Sequence, residues 1–173
     1  MDERERIDEA TASWAQLVPD LDVVTMRTVL LFARATALGH KHVEAAFDAV
    51  GLSAGEFDVL ASLMHASDQT SKPSVLARSG MLSPAGMTHR LDLLERAGFV
   101  ERRHDPADRR STLVVLTKAG EAKAIEAARA HVAAEAELLD LLSPGDRADL
   151  RRLLETMLDT HTAVTSEAAE LQN

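Results

Sequence analysis

The chain has 173 residues, with 19 Lys and Arg against 28 Asp and Glu for a formal net charge of −9, and it has no cysteine. Disulfides, thiolate metal sites, cysteine nucleophiles and thiol redox sensing are thereby excluded by inventory. Ala, Leu, Glu and Arg dominate while aromatic residues make up 3%, a composition that favours helix and predicts a mainly α fold of about one domain's length.

The start, Met1-Asp2-Glu3-Arg4-Glu5-Arg6, is charged rather than a basic tract with an apolar run. The most apolar stretch, Val23 to Leu38, is broken by Arg27 and Arg34. Neither export nor membrane insertion is expected, and the cytoplasm is the expected location. A charged helical stretch up to about Leu17 carries the only tryptophan, Trp14, and Pro19-Asp20 breaks it. Next, Val24, Thr28, Leu31, Ala35, Leu38, His42, Ala45 and Ala49 recur at helical spacing, a stripe predicted to pack against something long and to end near Gly51. Ser53 with Glu56 three residues on is a capping box, which predicts a helix over 53–65 with Phe57, Leu60 and Met64 on one face.

After the polar linker "SDQTSKP", "SVLARSG" reads as a short helix, "ML" as a tight connection and "SPAGMTHRLDLLERAG" as a second helix. Ser83 is its N-cap, Pro84 its first residue and Gly98 its stop. Short helix, tight turn and longer helix form a helix-turn-helix. "FVERRH" and "STLVVLT" are β-rich runs around the charged tip "DPADRR", a hairpin that follows the second helix as in a winged helix. Ala122, Ile125, Val132, Ala136 and Leu139 continue a helical stripe, and Ser143-Pro144 restarts it through Leu150, Leu153, Leu154, Met157, His161 and Val164. The predicted organisation is N-terminal helices over 1–50, a winged helix-turn-helix over 51–120 with a small β-hairpin, and C-terminal helices over 121–173. The apolar stripes at both ends outrun what one small winged domain can cover, so a two-fold homodimer is expected.

Charge is unevenly spread along this plan. Residues 72–123 carry 10 Lys and Arg and 6 Asp and Glu, net +4, which leaves 9 and 22, net −13, for the rest. One surface can therefore meet phosphate while the remainder stays acidic. On the second helix Met87, Leu91 and Leu94 fall within about 60° of one another and must face the core. Ala85, His89, Asp92 and Arg96 then take the far side. Ser83, Pro84, Ala85 and Gly86 let the helix end approach a groove wall, and Thr88, His89 and Arg90 follow as side chains able to donate to base edges or phosphates. Arg109 and Arg110 at the hairpin tip suit a minor groove, with Asp108 placed to brace a guanidinium. No nucleophile–base spacing appears, and His40 and His42 point about 160° apart on a helix, so neither an enzyme nor a metal site is expected.

The stretch "SPAGMTHRLDLLERAGFVERRHDPADRRSTLVVLTKAG" resembles the recognition helix and wing of the MarR (multiple antibiotic resistance regulator) transcription factors. The resemblance covers most of the chain and implies dimerising helices at both ends and a palindromic operator in double-stranded DNA. Ala107 stands where that family's wing often carries arginine, which leaves minor-groove insertion to Arg109 or Arg110. "SWAQLVPDLD" is similar to the N-terminal extension of the urate-responsive, PecS-like subgroup. That resemblance implies a small anion, either a purine such as urate or a small carboxylate, bound by Trp14 and Arg102 near an Asp58–Arg90 pair. The residues allow it, because Arg90 flanks the apolar stripe of its helix and Asp58 sits beside core Phe57. The implied function is a ligand-responsive repressor; the alternative is a constitutive DNA-architectural protein that answers to no small molecule.

Overall fold

A computed structural model describes residues 2–80, 83–106 and 108–170, without the side chains of Pro84, Arg109, Arg110 and 161–170. The expected tight connection at Met81-Leu82, the Ala107 position, and the side chains of His161 and Val164 lie outside the described residues. Two compact units divide after Ala134. The first holds α1 (Glu3–Leu17), α2 (Val23–Ala49), α3 (Ala54–His65), β1 (Thr70–Ser71), α4 (Pro73–Ser79), α5 (Pro84–Arg96), β2 (Val100–Asp105), β3 (Asp108–Leu116) and the start of α6 (Lys118–Leu139). The second holds the end of α6 and α7 (Pro144–Glu170). Among the described residues no helix is long and apolar enough to cross a membrane.

Local chemistry sets the helix boundaries. Ser53 accepts from the Glu56 N–H at 3.3 Å and its own N–H donates to the Glu56 carboxylate at 2.8 Å, closing the capping box that opens α3. Ser83 accepts from the Gly86 N–H at 3.1 Å to open α5. In the second unit Ser143 accepts from the Asp146 N–H at 3.2 Å to open α7, and Arg147 closes the preceding turn on Asp140 at 2.8 Å. Helix α5 ends in a Schellman motif: Phe99 N–H donates to the Leu94 carbonyl at 2.9 Å and Gly98 N–H to that of Glu95 at 2.9 Å. Gly98 has φ +76°, the left-handed region that a Cβ penalises. Gly98→Ala should therefore cost about 1 kcal/mol of stability, read as a lower urea midpoint with unchanged slope. Equal midpoints would mean that the turn relaxes without strain.

The core lies between α3, α5, the sheet and the first half of α6. Leu60, Leu63, Met87, Leu91, Leu94, Val100 and Val114 are fully buried, with Ala124 and Ala127 of α6 closing over them. Each such large side chain contributes about 1.5–3 kcal/mol. The predicted inward stripe of α5 is thus the inward stripe of the fold.

The α2 stripe from Val24 to Ala49 stays largely outside this core: Phe47 of α2 enters it, flanked by Val43 and Val50, while Val24 and Leu38 are exposed. Helix α1 covers part of α2, with Arg27 on Asp8 at 2.8 Å, Arg34 on Glu3, and Thr11 buried between them. The segment read as a polar linker supplies β1, so the hairpin becomes a three-stranded antiparallel sheet in the order β1-β3-β2, with Thr70 opposite Val115 and Ser71 opposite Val114. Asp68 and Gln69 make this corner with φ of 56° and 54°. Gln69 is tied down on Glu121 of α6, whose carboxyl is held below the ordinary range first by the Lys118 hydrogen bond, then by the Lys118 charge and by Gln69.

The wing tip is also shorter than "DPADRR". Pairing runs from Val100 opposite Leu116 to His104 opposite Thr112, then jumps to Asp105 opposite Asp108. Strand β3 thus carries residues 109–111 as an excursion with no partner on β2. The reason lies in Asp105, which is 8% exposed and receives Lys72 at 3.1 Å, extending β2 to the turn at Pro106.

Candidate nucleic-acid interface and the cleft behind it

Helices α4 and α5 with the β2–β3 wing form one winged helix-turn-helix. Ala85, Thr88, His89 and Arg96 are exposed on α5 and Gly86 is half-buried, so the face opposite Met87, Leu91 and Leu94 is open. The backbone of Arg109 and Arg110 lies in the unpaired excursion of β3, where the strand is free to lean away from the sheet. Asp108 opens β3 and is exposed.

Arg102 points from β2 back to α5. Its guanidinium meets Asp92 at 2.6 Å and Glu95 at 3.0 Å, and its backbone N–H donates to Glu95 at 3.1 Å. Two carboxylates one helical turn apart hold one planar cation, a bidentate clamp that fixes the wing root to the reading helix. Asp92, expected on the open face, is instead half of this clamp, and Glu95 is a member that sequence reading did not single out. The available signal was the i, i+3 carboxylate pair on α5 followed by a basic strand just past the Gly98 turn.

Behind α5 a cleft of about 340 Å³ opens between α3, α4 and α5, lined by Gly55, Asp58, Ser62, His65, Ser79 and Arg90 among others. The fold brings Asp58 and Arg90 into this one cleft. Among the described residues neither makes an ion pair; the Arg90 guanidinium instead lies against the backbone of Gly55. Trp14 is placed elsewhere: it is 48% exposed on α1 and lines neither this cleft nor the groove between α1 and α2 around Thr11, Ala15, Val24 and Thr28. The four residues implied as an anion site are therefore distributed over α1, the cleft and the β2–α5 clamp.

A helix with an open outer face followed by a basic wing defines a winged helix-turn-helix DNA-binding protein. Residues 52–112 match the MarR family, and the chain belongs to that family of transcriptional regulators, whose members bind DNA and act as dimers. It is 32% identical to the HTH-type transcriptional regulator PecS of Dickeya dadantii over 149 residues, 86% of this chain and 90% of that one. A Mycobacterium tuberculosis MarR family protein in complex with salicylic acid is 31% identical, with a TM-score of 0.57 over 74% of this chain and 93% of that one. A Streptomyces coelicolor MarR family regulator in complex with DNA shares the fold at 20% identity, with a TM-score of 0.66 over 81% of this chain and 89% of that one.

Proposed function

We propose that this chain is a homodimeric repressor released from a palindromic operator in double-stranded DNA by a small anion. In this reading residues 1–50 and 121–173 supply the dimer helices and the ligand's cover, and 51–120 the DNA-binding domain, in the cytoplasm. Ser83, Pro84, Ala85, Gly86, Thr88, His89 and Arg96 meet the major groove and Arg109 or Arg110 the minor groove, with Asp108 bracing the arginine. The dimer is favoured by Trp14, Leu17, Val24, Phe32 and Leu38 in the first unit and Leu150, Leu153 and Met157 in the second, large apolar side chains left exposed on a single copy.

The observation that carries the anion response is the Arg102 clamp. An anion that takes Arg102 must compete with Asp92 and Glu95, both on the reading helix, so its binding acts on α5 at once. Trp14 would cover the flat face of the anion, and the displaced negative charge would weaken an Asp58–Arg90 pair made on DNA. A salicylate-bound relative is consistent with a planar carboxylate, and the resemblance of "SWAQLVPDLD" to the urate-responsive subgroup with a purine.

The test is a mobility shift on the DNA upstream of the chain's own gene, titrated separately with urate, salicylate and citrate. One of these should release the wild type. Arg102→Ala should keep DNA binding and lose release. A tenfold fall in DNA affinity requires the anion to bind the DNA complex tenfold less tightly, a coupling of about 1.4 kcal/mol. Undiminished occupancy under all three anions, with unchanged Trp14 fluorescence, would leave a constitutive DNA-architectural protein.

A further inference from the structure

At Gly55 the space a side chain would fill is already taken. A Cβ on this residue would lie 2.2 Å from Cζ of Arg90 and 2.4 and 2.5 Å from its two terminal nitrogens. The guanidinium of the reading helix is therefore laid flat on the backbone of the first turn of α3. That position is electrostatically poor, because a helix's first turn carries the positive end of its dipole. Asp58 lies three residues further along α3, on the same side and in the same cleft, and offers a carboxylate one turn away. Arg90 thus rests on a neutral surface while a carboxylate lines the same cleft.

We propose that Gly55 is a positioning residue: by lacking a side chain it gives Arg90 a second seat, and the reading helix alternates between an Arg90–Asp58 pair on DNA and an Arg90–Gly55 contact off it. This rests on reading the chain as a releasable DNA-binding regulator. Gly55 sets how much of the released form is populated, and so how tightly the operator is held before any ligand arrives.

Gly55→Ala is a clean probe. The atoms its Cβ meets are the tip of a flexible side chain, and alanine is the better helix former, so the fold survives while the seat is lost. Gly55→Ala, Asp58→Asn and the double variant are measured by fluorescence anisotropy on a duplex that the wild-type protein selects from random-sequence DNA, with no organic anion added. Gly55→Ala should bind about threefold tighter or better, Asp58→Asn about threefold weaker, and the double variant no tighter than Asp58→Asn alone. Equal tightening in both backgrounds, or none in either, overturns the proposal. A crystal structure of Gly55→Ala provides a readout independent of DNA: Arg90 should lie within about 4 Å of the Asp58 carboxylate, and a guanidinium left in solvent also overturns it. Wild-type protein that selects no DNA would sink the regulator reading, while the crystal structure would still decide where Arg90 goes.

Discussion

Replacing Gly120 with alanine should destabilise the first unit by about 3 kcal/mol, a loss visible in urea or thermal unfolding and larger than that expected at Gly51, Gly55, Gly86, Gly98 or Gly145. A Cβ at this buried position would stand 2.0 Å from the Phe99 carbonyl oxygen and 2.9 Å from Cδ1 of Leu116. The oxygen cannot retreat. It accepts from the Thr117 N–H at 3.0 Å and from the Thr117 hydroxyl at 3.1 Å, and its own residue is fixed by the Schellman bond to Leu94. The Thr117 hydroxyl in turn accepts from the Gly120 N–H at 3.0 Å, so displacing α6 breaks the cap that starts it. Alanine at 120 thus forces a choice between moving backbone and losing three hydrogen bonds. The neighbouring exposed Ala119 gives the control, since Ala119→Gly should cost no more than about 1 kcal/mol. An alanine variant at 120 as stable as the wild type would mean that α6 shifts on the sheet without penalty.

The same joint explains which features were legible in the sequence. Helix α5 could be read almost residue by residue, because its N-cap, its Gly98 stop and its inward Met87, Leu91 and Leu94 are all set by contacts within four residues or by a 3.6-residue period. The capping box at Ser53 was legible for the same reason. Strand β1 was not, because two residues carry no period, and the corner that delivers them uses left-handed Asp68 and Gln69 where a glycine would have flagged the turn. The α2 stripe was legible as a pattern, but its partner was not. Exposed Val29, Leu30 and Phe32 show that this helix is apolar on more than one face, and period alone cannot say which face meets its own chain.

The candidate site was legible in its residue types and illegible in its pairings. Arg102 was singled out, but its partners depend on how sharply β2 folds back along α5, which the Schellman turn and strand register decide together. Gly55 left no signal at all, since a glycine in a helix's first turn is unremarkable until another helix's arginine is laid upon it. Lys72 and Asp105 were likewise visible only as charges. Their contact brings the start of α4 to the neck of the wing and ties the helix-turn-helix to it.

With the wing arginines proposed to enter the minor groove, the Arg109→Ala/Arg110→Ala variant should lose about 2 kcal/mol or more of operator affinity. Their backbone sits in the excursion between the Thr112 and Asp108 pairings, unrestrained by β2 and one step from the tip, while the wing root is fixed to α5 by Arg102 and to α4 by Lys72. The fixed root delivers an adaptable tip to the groove, and a narrow minor groove concentrates the negative potential that guanidinium groups seek. Each phosphate neutralised releases counterions and adds close to 0.9 to the slope of log K against log salt, so losing two cations should flatten that slope by nearly two units. Arg103→Ala is the comparison: Arg103 already pairs with Glu101 at 2.8 Å on the same strand, and its removal should change slope and affinity far less. The measurement is operator affinity by mobility shift between about 50 and 200 mM salt. A double variant whose affinity and slope match the wild type would remove the wing from the DNA contact and leave α5 to carry it alone.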